Sequence, residues 1–87
     1  MELIIELQEF DKTKGFQFNW HENFKIETKI KNNKEIIISA NKEGLLSLAN
    51  HLLNLAQDSV PLDYHLHFDE YNSLENSSKE LIIQKIK

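Results

Sequence analysis

His65, His67 and Asp69 alternate with Leu66 and Phe68. On a β-strand, residues two apart point to the same side, so this run could offer two imidazoles and a carboxylate to one divalent ion. The spacing permits such a site without defining it. A catalytic zinc takes three protein ligands and an open position, and His21 or His51 would have to reach it from elsewhere in the fold. The same three residues also make an ordinary solvated face for a strand whose Tyr64, Leu66 and Phe68 are core. Other chemistry finds less support. Ser39, Ser47 or Ser59 can be written beside a His, but none stands in a Gly-x-Ser-x-Gly elbow. With two Gly in the chain, phosphate-cradling loops are lacking, and the neighbours Asp69 and Glu70 point to opposite faces of a strand. The chain is expected to bind a partner, to catalyse nothing and to need no cofactor.

The charge distribution narrows the partner. The formal net charge is −4, and all ten cations are Lys, so the guanidinium forks that grip phosphate or guanine are missing. Direct nucleic-acid binding is therefore disfavoured. The Lys residues fall within 12–42 or 79–87, while Glu43, Asp58, Asp63, Asp69, Glu70 and Glu75 stand between them. This central span should project a negative field that draws in basic partners. No apolar run is long enough to cross a bilayer, and the acidic start Met1-Glu2-Leu3-Ile4-Ile5-Glu6 is unlike a signal peptide, so a cytoplasmic protein is expected. The lack of Cys fits a reducing compartment.

Residues 1–87 are read as a single α+β domain. Leu3, Ile5 and Leu7 alternate with polar neighbours and predict a strand over 2–9, and Phe16, Phe18 and Trp20 predict a second after the turn at 11–15. Core packing is expected for Phe16 and Phe18, and a more exposed, interface-forming position for Trp20. A bend at 21–23 separates this strand from the alternation Phe24, Ile26, Thr28, Ile30, and Asn32-Asn33 supplies a tight turn into a central strand over 35–40. From Asn41 the period becomes helical. Leu45, Leu48, Ala49, Leu52, Leu55 and Ala56 form the face expected to meet the sheet, with Ser47, Asn50, His51, Asn54 and Gln57 as a neutral outer face. Strands over 64–69 and 81–86 complete the order β-β-β-α-β-β, an antiparallel sheet of about five strands with one helix on one face. The buried side of the last strand stays open, because Leu81 and Ile83 compete with Ile82 and Ile86.

The stretch Ser39-Ala40-Asn41-Lys42-Glu43-Gly44-Leu45-Leu46-Ser47-Leu48-Ala49, followed by His51-Leu52-Leu53, Val60-Pro61, His65 to Asp69, Asn72, Leu74-Glu75, Ser78 and Leu81-Ile82-Ile83, resembles the immunity protein 32 family of bacterial polymorphic toxin systems. The resemblance implies a small cytoplasmic inhibitor that binds a cognate toxin domain, for which a basic nuclease is one candidate. His65, His67, Asp69, Glu70, Glu75 and Asp63 are the residues expected at that contact, with Asp58 adding to the acidic surface. Two alternatives stand beside it: a metal- or ligand-binding protein using His65, His67 and Asp69, and a homodimer formed through the open sheet face or an edge strand.

Overall fold

A computed structural model of the chain describes residues 1, 2, 4 and 7–87. The elements run β1 (Ile26–Lys31), β2 (Glu35–Ala40), α1 (Lys42–Leu55), β3 (His65–Phe68) and β4 (Leu81–Gln84). The expected α+β class holds, but the single five-stranded sheet does not. β1 pairs with β2 and β3 with β4, each an antiparallel sheet of two strands.

The β1–β2 hairpin turns where Asn32 and Asn33 adopt φ of 53° and 55°, the left-handed conformation that Asn tolerates. β2 is an edge rather than the central strand that its β-branched run suggested. β1 is flanked on its other side by residues 75–79, whose Glu75 and Lys79 amides donate to the carbonyls of Ile26 and Thr28 at 2.9 and 3.1 Å. Thr28 is buried by this attachment; its hydroxyl donates to the Lys79 carbonyl and its amide to Ser78 Oγ.

Residues 2–9 were expected to form the first strand. Leu3, Ile5 and Glu6 lie outside the described residues, and the described remainder of that segment carries no strand. Nor is there a strand at 16–20, where backbone amides bond to side chains in place of a ladder. The Phe16 amide donates to the Tyr64 hydroxyl, that of Asn19 to His51 Nε2 (3.1 Å), and that of His21 to Ser47 Oγ (2.8 Å). Further back, the Gln8 amide donates to Asn54 Oδ1 at 2.8 Å. A period of two in side-chain polarity describes any extended segment with one buried flank, so it could not separate a laddered strand from this one.

These bonds invert the helix. Ser47, His51 and Asn54, expected on the outside, are buried beneath the N-terminal segment, whose amides need the acceptors they supply. Leu45 and Leu52, expected inside, are 56% and 45% exposed. Asn41 caps the helix as its type predicts: Oδ1 accepts from the Gly44 amide (2.8 Å) and also from that of Lys25 (2.9 Å). Gly44 permits the close crossing that follows, because a Cβ there would lie 2.5 Å from the Lys25 carbonyl oxygen and 2.9 Å from Ile26 Cγ1. At the other end, the Lys85 ammonium donates to the carbonyls of Gln57 and Val60 at 2.6 and 2.8 Å, closing the last turn and the segment after it.

The core gathers Ile26, Leu55, Val60, Leu66, Phe68 and Leu74, with the partly buried Phe16, Trp20, Phe24 and Tyr64 against it. Leu66 stands opposite Ile83 and Phe68 opposite Leu81, which resolves the open question of β4: Leu81 and Ile83 face the core, and Ile82 and Ile86 face outward.

Candidate functional site

β3 and β4 bring chemistry together at their shared end. The last register pair is Phe68 with Leu81, so the next residues out, Asp69 and Glu80, meet across the end of the ladder. His67, on the outward face of β3, reaches both: its Nε2 is 4.0 Å from Asp69 Oδ2 and 3.7 Å from Glu80 Oε2. Among the described residues these three form the group with ligand atoms close enough to share an ion, all within 4.8 Å of one another. His65 is not among them. It shares the outward face of β3 with His67 but stands opposite Gln84, at the other end of the sheet. Sequence reasoning therefore found two of the three and missed Glu80. Pairing the alternation Leu66–Phe68 with Leu81–Ile83 would have set residue 80 against residue 69.

The three side chains differ in freedom. Asp69 is engaged by its own loop: Oδ1 accepts from the amides of Tyr71 (2.9 Å) and Asn72 (3.0 Å), leaving Oδ2 toward His67. Asn72 completes the turn, accepting from the Asp69 amide through Oδ1 and donating through Nδ2 to the His67 carbonyl at 3.0 Å. Glu80, by contrast, is an exposed side chain, 70% accessible, tied among the described residues to His67 alone.

Beside this corner lies a groove of about 230 Å³ lined by Phe18, Trp20, His67, Phe68 and Asn72. Phe18 and Trp20 stack with ring planes 5° apart and centroids at 6.0 Å, and both meet Phe68 edge-on. Their exposure reverses the expected order, with Phe18 41% exposed and Trp20 half-buried against Phe24. The arrangement offers planar apolar surface with an imidazole and two carboxylates at its rim, which suits a cationic side chain carrying an apolar stem.

The remaining expected contact residues are dispersed. Glu70 accepts from the Ser77 amide at 2.9 Å and braces the loop after β3. Glu75 is exposed on the segment along β1, while Asp63, at φ 69°, sits in the turn before β3. His51 is fully buried with Nδ1 unpartnered, and burial pushes its pKa down to about 4. It belongs to the scaffold and is too enclosed to join the surface site.

The fold is α+β, with charged and aromatic side chains gathered at the β3–β4 corner, and no helix among the described residues is long and apolar enough to cross a membrane. The profile of the immunity protein 32 family matches residues 35–86, and the chain belongs to that family. An immunity protein implies a toxin as its partner. No curated protein and no solved structure gives a significant match.

Proposed function

We propose that this protein neutralises a cognate toxin domain by stoichiometric, non-catalytic occlusion in the cytoplasm of the bacterium that makes both. Membership in the immunity protein 32 family carries the reading. The contact centres on His67, Asp69 and the neighbouring groove; His65, farther along the same strand face, and the dispersed Glu70, Glu75 and Asp63 add to it through the negative field of the surface. A toxin with a basic active-site rim, such as a nuclease, is attracted to this surface at long range and desolvates it on docking.

The test is co-expression with the toxic domain encoded immediately upstream, followed by co-purification. The wild type is expected to restore growth and to elute with the toxin at one-to-one stoichiometry. Glu80→Lys is the informative variant, since Glu80 supports no backbone group among the described residues; it should slow association by about tenfold at low salt. Toxicity that persists, with no complex formed, would sink the proposal.

The convergence of His67, Asp69 and Glu80 also favours a second reading, binding of a divalent cation by one imidazole and two carboxylates. Calorimetric titration with Zn²⁺ decides it. Binding at one site, abolished by His67→Ala, supports that reading, and the absence of heat removes it.

A further inference from the structure

Leu45, Ala49, Leu52 and Ala56 follow one another at intervals of four, three and four, a 3.5-residue repeat that forms a straight seam along α1. Helix inversion turns this seam outward: Leu45, Leu52, the adjoining Leu53 and Ala56 are exposed and Ala49 between them is half-buried, while Leu48 packs on the core and Leu55 is part of it. From Gly44 to Gln57 the helix has no formal charge, in a chain whose net charge is −4. A basic partner drawn by the negative field has nothing to pair with here, whereas a second copy of an acidic protein needs such a neutral face to approach at all.

The order of sizes along the seam says how two copies fit. In an antiparallel pair about a two-fold axis, Leu45 meets the partner subunit's Ala56, and Ala49 meets the partner subunit's Leu52. Each layer then holds one large and one small side chain, so every layer has the same thickness. A parallel pair would set Leu on Leu and Ala on Ala, alternately too thick and too thin. The antiparallel arrangement also carries the exposed Lys42 at one end of the seam toward the partner subunit's Asp58, the first charged residue past the other end. We propose that this protein forms a two-fold homodimer through α1, with Leu45, Ala49, Leu52 and Ala56 packed antiparallel against the same residues of a second copy. The dimer face is the helix, and neither the open sheet face nor an edge strand takes part.

Sedimentation equilibrium of the full chain, from about 10 μM to about 1 mM, reads the association directly. The expected mass rises to twice 10.3 kDa. Ala49→Leu sets Leu against Leu in two symmetry-related layers and should weaken the dimer by at least about tenfold. Leu52→Ala leaves both layers underfilled and should weaken it too. Ala49→Leu combined with Leu52→Ala exchanges the two sizes and should restore dimerisation, which no general effect on folding would do. Leu52→Glu, at an exposed site, should give a folded monomer by circular dichroism. A mass of 10.3 kDa throughout the range, or a dimer indifferent to Leu52→Glu, overturns the proposal. Failure of the paired exchange to restore what Ala49→Leu abolishes overturns the antiparallel packing.

Discussion

Acidification should destabilise this protein in a window set by one imidazole. His51 is fully buried, and its Nε2 accepts the Asn19 amide, so the lone pair that would take a proton is already occupied. Around it stand the rings of Phe18 and Trp20, with centroids at 5.0 and 4.4 Å. Desolvation among these rings lowers its pKa from 6.5 to about 4. The unfolded chain therefore binds a proton that the folded chain refuses between those two values. Stability must rise with pH across this interval: the contribution is fully present above about 6.5 and is lost as pH falls through about 4. Each pH unit of separation is worth about 1.4 kcal/mol, so acidification from pH 7 to 4 should remove up to about 3 kcal/mol. With a urea m-value of roughly 1 kcal/mol/M for a small domain, the midpoint should drop by up to about 3 M. Trp20 is the only Trp, and its emission serves as the unfolding probe. The control is His51→Gln, whose side-chain carbonyl can still accept the Asn19 amide but does not titrate. It should be less stable than the wild type at neutral pH yet nearly flat down to the onset of carboxylate protonation. An equal fall in both proteins, or an NMR titration placing His51 near 6.5, would refute the reasoning.

Gly44→Ala should destabilise the fold by about 1–3 kcal/mol in urea denaturation, because the added Cβ meets backbone oxygen at 2.5 Å and the helix must lift off β1 to admit it. Asp69→Ala should cost about 1–2 kcal/mol by thermal melting, since Oδ1 holds two turn amides. Its effect on partner binding therefore mixes loop disorder with lost charge. Glu80→Gln should leave the melting temperature unchanged within error and serve as the cleaner probe of charge at the same corner.

Much of the local structure was legible because local rules decided it. Paired Asn residues made the hairpin turn, Asn41 capped the helix, and alternation in residues 65–68 set Leu66 and Phe68 inward. The interruption at 21–23 is likewise a turn, with Asn23 at φ 65°. What failed was the assignment of partners to faces. Ser47, His51 and Asn54 read as solvent-facing because hydropathy scores a side chain without knowing which amide will need it. Once the N-terminal segment is seen to bond side chains, the absence of a ladder at 16–20 and the outward turn of Leu45 and Leu52 follow from that one cause. At the candidate site, His67 and Asp69 were visible through spacing within one strand. Glu80 depended on register between strands, which is a tertiary property.

The attachment of the N-terminal segment has a consequence for how far its sequence can drift. Ser47, His51, Asn54 and Tyr64 lie within the span matched to the family, and they accept hydrogen bonds from the main-chain amides of residues 8, 16, 19 and 21. An amide is present in every residue except proline. The grip is therefore blind to the side chains of Gln8, Asn19 and His21, which can be exchanged without releasing the segment, while proline at any of the four positions removes one of its fastenings. Phe18 stands in this segment and lines the groove. One wall of the groove is thus carried on a strip whose hydrogen bonds survive exchange of its polar side chains, while the rings of Phe16 and Trp20, packed against the core, are the part of its spelling that the framework does constrain.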